Sequence, residues 1–216
     1  MKISNMLLGL VVAGLFAAPP VQAGSRGNNE CPVGYVSGLS LDAEFGPGTQ
    51  ELTRCIKRRH KVNVVVQLSQ FCRDPAGNID RTACTRPYGL GNITNMLNDY
   101  EITHGMRPGK DFEIVAVAYA DGAYLTIKDE SYNGAGELVT GRNQFEEQVQ
   151  ALMQRGVKFL FCQNTTRAFI ASGFLPNFQR TGISATDQII EGMEYVTGGV
   201  TAIIDFQELG YSYIQP

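Results

Sequence analysis

No apolar run in this 216-residue chain approaches the roughly 20 residues that a membrane-spanning helix needs. The longest, Met6 through Ala18, has 13. Metal-binding cysteine patterns are missing too. There is no Cys-x-x-Cys pair, and neither of the two histidines stands at ligand spacing, so a metal centre is not expected. Phosphate-cradling signatures are absent: no G-x-G-x-x-G follows the first apolar stretch and no G-x-x-x-x-G-K-[ST] occurs, so no nucleotide cofactor is expected. The lack of G-x-S-x-G counts against a serine hydrolase. Positive charge is not in excess either. Eighteen lysines and arginines against 21 acidic residues give a net charge of −3, which offers no electrostatic reason to bind nucleic acid or an anionic membrane. The one basic cluster, Lys57-Arg58-Arg59-His60, reads as the solvated end of a short helix.

What is present begins with an export signal. Lys2 supplies the positive start, Met6–Ala18 the apolar region, and Pro19 and Pro20 break it before Val21-Gln22-Ala23, a small-x-small cleavage site. No cysteine follows that site, which argues against a lipoprotein anchor. Removal of residues 1–23 leaves 193, expected to be soluble in the periplasm or secreted, with a glycine-rich leader and lead-in helix to residue 60 and one domain over 61–216. An oxidising compartment gives the five cysteines meaning. The economical pairing is Cys31 with Cys55 and Cys72 with Cys84, although three connectivities are open among those four. Cys162, 78 residues beyond Cys84, is left as the free thiol. Cys72 and Cys84 read either as a staple for a long loop or as a redox pair, and the eleven residues between them favour the staple.

Periodicity predicts the elements. Thr49 reads as the N-cap of a helix to about residue 59. Val62 to Leu68 is β-branched and nearly continuous, the mark of a strand buried on both faces. A loop is expected over 69–91, then an amphipathic helix over 92–104 carrying Ile93, Met96, Leu97 and Tyr100. Strands follow at 112–119 and 157–161, separated by a glycine-rich stretch, a short helix over 124–128, and a helix marked by Phe145, Val149, Leu152 and Met153. Beyond Cys162 come a brief helix over 166–172, a strand over 193–196, a helix over 198–209 and a last strand over 211–214. Strands that alternate with helices become parallel neighbours. The expectation is an open, doubly wound α/β fold with a mainly parallel sheet of about five strands and helices on both faces.

In such sheets, ligands gather at the carboxyl ends of the strands. Cys162 follows a strand directly, and Gln163-Asn164-Thr165 leads from it into a helix whose amides favour a thiolate. The same cysteine can equally be a small buried apolar residue. Asp121, after the second strand, reads as a turn residue or a general base. His104 reads as a helix-end residue before Gly105 rather than a partner for a thiol. Asn92-Ile93-Thr94 and Asn164-Thr165-Thr166 match the glycosylation sequon, which matters only in a eukaryotic secretory pathway.

Three segments carry a family resemblance. Gly156-Val157-Lys158-Phe159-Leu160-Phe161-Cys162-Gln163-Asn164-Thr165 resembles the strand-then-cysteine motif of the DsrE/DsrF-like family. Gly91-Asn92-Ile93-Thr94-Asn95-Met96-Leu97 is similar to the first core helix of that family. Gly198-Gly199-Val200, Asp205-Phe206-Gln207 and Gly210 to Pro216 resemble the ending of its exported members. The likeness spans residues 61–216. It implies a doubly wound subunit in a homo-oligomer, trimer or hexamer. It also implies that Cys162 carries sulfur as a persulfide, received from a donor and passed to an acceptor that is a protein or a small sulfur compound. The rival expectation is a non-catalytic binding or assembly module in which Cys162 is merely packed.

Overall fold

A computed structural model describes residues 39–52, 61–72, 74–80, 84 and 87–216. The export signal over 1–23, the cysteines Cys31 and Cys55, and the basic cluster 57–60 lie outside the described residues. Two short helices come first. α1 (Leu41–Phe45) is capped by Ser40, whose hydroxyl accepts from the Ala43 N–H. α2 (Thr49–Leu52) begins at Thr49 itself. Thr49, expected as the N-cap, is the first helical residue instead, and its hydroxyl donates to the Gly46 carbonyl at 2.8 Å.

Next come β1 (Val62–Leu68) and α3 (Tyr88–Asn98), the latter extended by a π-helical turn over Asp99–Thr103. β2 (Phe112–Ala118) runs into a 3-10 helix, Ala120–Thr126. A small antiparallel hairpin, β3 (Ser131–Tyr132) and β4 (Leu138–Val139), precedes α4 (Glu146–Gln154) and β5 (Lys158–Cys162). The chain ends with α5 (Gln163–Ala171), α6 (Phe178–Thr181), a 3-10 turn at Thr186–Gln188, β6 (Glu194–Val196), α7 (Gly199–Glu208) and β7 (Ser212–Ile214).

Five strands form one all-parallel sheet in the order β6-β5-β2-β1-β7. This is an α/β fold with helices on both faces. The alternation of side chains along each strand sorts the core into layers. Val64, Val66, Ile114, Ala116 and Phe159 face α3 and α4, and Phe161 on that same face meets Phe169 of α5. Val65, Val115, Val117 and Leu160 face the other way, onto Ala202 and Ile203 of α7. The layering follows from handedness. From β1 to β2, β5 and β6 the chain steps in one direction across the sheet, so crossovers of one hand keep their helices on one face. The return from β6 to β7 steps the opposite way, past β1, and the same hand puts α7 on the other face.

Three expectations are corrected. The helix expected over 92–104 starts at Tyr88, so residues 88–91 are helix rather than the end of a loop. Pro87 stands at the cap with extended backbone, and Gly89 belongs in the first turn rather than in a loop. A Cβ on Gly89 would lie 2.4 Å from Leu68 Cδ2, so a larger residue here would have to displace the Leu68 side chain. The short helix expected over 124–128 is instead the 3-10 helix beginning at Ala120. The helix expected from Thr166 begins at Gln163, so Gln163, Asn164 and Thr165 form its first turn rather than a connecting turn.

Candidate functional site

The topology singles out one crevice. Chains leaving the carboxyl ends of β1, β2 and β5 turn to one face, whereas the chain leaving β6 turns to the other. The switch lies between β5 and β6, where open parallel sheets part to admit ligands. Cys162 is the last residue of β5 and pairs with Val196, the last of β6. It is also the N-cap of α5, and α7 starts three residues after β6. Two helix N-termini, one from each face of the sheet, therefore end at the same sulfur. Among the described residues Cys162 is the free cysteine.

The Gly199 N–H of α7 donates to Sγ at 3.2 Å. From α5 the N–H groups of Asn164 and Thr165 and the Thr165 hydroxyl lie near enough to favour a thiolate, without a capping hydrogen bond to the sulfur. Burial pushes the thiol upward, but the donors of Thr165, Gly199 and Asn164 outweigh it and hold the group below the ordinary thiol range. The Thr165 hydroxyl accepts from the Ala120 N–H at 3.2 Å, so its own hydrogen is left for the sulfur. Ala120 has φ 49°, a left-handed conformation that costs an ordinary residue about 1–2 kcal/mol. That strain sits directly beside the thiol, where the chain turns from β2 across the top of the crevice.

Above the sulfur opens a cleft of about 490 Å³. Tyr119, Ala120 and Asp121 form one wall, the first turns of α5 and α7 the others. Cys162 lies at its floor, only 4 % exposed. The cleft thus reaches the thiol without leaving it on the surface. Asn164 is exposed at the rim, and its Oδ1 accepts from Arg167 Nη1 at 2.6 Å, which leaves the amide nitrogen facing Gly198. Gln163 is exposed and does not line the cleft. Of the three residues expected to support Cys162, Asn164 and Thr165 line the cleft with it and help hold its thiol down, and Gln163 does neither.

The remaining candidates fall elsewhere. Asp121 lines the cleft in the first turn of the 3-10 helix. His104 ends the turn that precedes β2, ahead of the amino end of that strand, with Nε2 3.5 Å from Asp99 Oδ2. Cys72 and Cys84 are bonded to each other, their Cα atoms 5.4 Å apart, beyond the end of β1. Cys84 is packed into the core and Gln144 donates to its carbonyl. Asn92 opens no site, being the fifth residue of α3. Sequence reasoning missed Gly199 and Tyr119. The Gly198-Gly199 doublet just ahead of an apolar-periodic helix was the available signal for the first, while nothing in the sequence pointed to Tyr119. Among the described residues no group of three or more His, Cys, Asp or Glu is arranged to hold a metal ion, and no helix is long and apolar enough to cross a membrane.

No family model and no curated protein matches the chain. Among solved structures it is similar to a protein of unknown function from Methanobacterium thermoautotrophicum. The likeness has 24 % sequence identity and a TM-score of 0.42, covering 73 % of this chain and 99 % of that one.

Proposed function

We propose that the protein is an exported DsrE/DsrF-like sulfur carrier in which Cys162 is the carrying group. In the first step the Cys162 thiolate attacks the sulfane sulfur of a donor. The new S–S bond forms as the donor's bond to that sulfur breaks, and the donor's remaining group leaves with the electron pair. In the second step an acceptor thiolate attacks the outer sulfur of the persulfide, and Cys162 departs as thiolate. Charge and electrons balance over the two steps, and neither an oxidant nor a cofactor is consumed.

One observation carries this reading: Sγ lies at the meeting point of two helix N-termini, on the floor of an open cleft. Donors from both sides favour the thiolate as attacking group and again as leaving group, which is what a carrier needs twice in each cycle. The cleft supplies room for a second sulfur atom and for an approaching donor. Tyr119, pushed upward by burial, keeps its proton at neutral pH and adds no negative charge beside the thiolate. The second reading, an assembly module with a packed cysteine, draws on the 4 % exposure of Cys162. Incubating purified protein with polysulfide separates the two. A carrier gains reductant-labile increments of one sulfur atom on the Cys162 peptide, and a packed thiol gains none.

A further inference from the structure

The first peptide of α7 is held from outside the helix. Gly199 is buried, and its φ lies outside the left-handed region, so its backbone conformation is open to alanine. Space is what forbids a side chain. A Cβ on Gly199 would stand 2.7 Å from Cβ, Cγ and Cδ1 of Tyr119, well inside the roughly 3.5–4.0 Å at which carbon atoms rest. Tyr119 is itself anchored. Its N–H donates to the Leu68 carbonyl at 3.0 Å, and its hydroxyl lies near Ser69, whose oxygen accepts from Gln67 Nε2 at 2.9 Å. The tyrosine is therefore tied to the end of β1 by its backbone, while its side chain turns to the face that α7 covers and presses on the first peptide of that helix.

We propose that Tyr119 is a positioning residue for Cys162, its side chain laid against Gly199 so that the first N–H of α7 is aimed at the sulfur. This role in a reaction rests on the sulfur-carrier reading, whereas its effect on the thiol rests on packing alone. Tyr119 needs no contact with the reacting sulfur to do this. It acts by closing the space into which the α7 N-terminus would otherwise slide, and Gly199 is the residue that lets the two surfaces meet. The charged and titratable groups around the thiol are few. Tyr119 and Asp121 come from the segment after β2, and Arg167 reaches the rim through Asn164 on α5. The first turn of α7 carries no acidic residue, and β6 places Val196 beside Cys162.

The test is the pH profile of Cys162 alkylation by iodoacetamide, followed by mass spectrometry of its peptide, in the purified full chain. Tyr119→Phe keeps the packing and is expected to keep the wild-type midpoint. Tyr119→Ala and Gly199→Ala are expected to raise it by about one pH unit, or roughly tenfold less thiolate below the midpoint. The double variant should rise no further than Tyr119→Ala, because the new methyl meets no ring. A wild-type midpoint in Tyr119→Ala would overturn the proposal, and so would a Tyr119→Phe midpoint shifted as far as that of Tyr119→Ala. Should Gly199→Ala fail to fold, the comparison of Phe with Ala at position 119 decides alone. Polysulfide uptake measured on the same samples keeps the two claims apart. Shifted midpoints with no uptake by wild type would remove the carrier reading and leave the positioning role, and uptake with unshifted midpoints would do the reverse.

Discussion

At the scale of single residues, the poise of Cys162 depends on uncharged donors from Thr165, Gly199 and Asn164. Thr165 contributes twice, through its N–H and its hydroxyl, so it is the most informative side chain to change. Thr165→Val is expected to raise the alkylation midpoint of Cys162 by about one pH unit, the usual scale of a hydrogen bond to a charged group. Thr165→Ser should restore it; a valine variant that titrates like wild type would contradict the hydroxyl's role. Stability should follow the same linkage. The thiol is depressed in the folded state, so its contribution is fully present above the ordinary thiol value of about 8.5 and is lost as pH falls through the folded value. Wild type should therefore gain stability relative to Cys162→Ala as pH rises through that window, as read by urea unfolding at several pH values. A parallel dependence in the two proteins would show no such linkage. Cys162 itself was legible in the sequence because a thiol at the end of an apolar run lands at a carboxyl edge. Gly199 and Tyr119 were not, since the Gly199–Cys162 bond spans 37 residues and exists only once the sheet has brought β5 and α7 together.

Among the elements, the segment between β1 and α3 carries a covalent tie. The Cys72–Cys84 bond, separated by 12 residues in sequence, closes much of it. Replacing both cysteines by serine should cost on the order of 3 kcal/mol in the chain-entropy picture, measured as a fall in the urea midpoint. An unchanged midpoint would mean the loop is held by its packing against the core rather than by the bond. β1 and β2 could be read from sequence because strands buried on both faces are continuous runs of β-branched and apolar residues. The start of α3 could not, because Gly89 looks like a turn residue until Leu68 is seen against it. The β3–β4 hairpin was missed for a similar reason. Two-residue strands carry no periodicity, and this hairpin is held by local bonds such as Asn133 N–H to the Glu137 carbonyl at 2.9 Å. The first turn of α5 looks like a connector in sequence because Gln163, Asn164 and Thr165 include no apolar residue to mark a helical face.

For the molecule as a whole, α3, α4 and α5 among the described residues share one face of the sheet, while α7 lies on the other. Its outer ridge shows Val200 at 58 % and Ile204 at 50 % exposure, with Leu209 at 71 % just beyond its end. An apolar ridge of this kind, together with the family resemblance, leads us to expect a symmetric homo-oligomer, trimer or hexamer. Light scattering at micromolar concentration should give a multiple of the chain mass, and Ile204→Glu should lower it. A single-chain mass for the unaltered protein would contradict the expectation. The overall architecture was readable because each buried strand announced itself and each was followed by a helix. The crevice was not, because it is set by the reversal of strand order between β6 and β7, which periodicity does not encode. The central claim is that this crevice holds a thiolate able to take up and release sulfur. Its most direct test is the intact mass of the purified protein after exposure to polysulfide or thiosulfate. The account predicts reductant-labile increments of one sulfur atom in wild type and none in Cys162→Ser. A wild-type mass that stays unmodified under donor excess, or increments that survive the substitution, would contradict it.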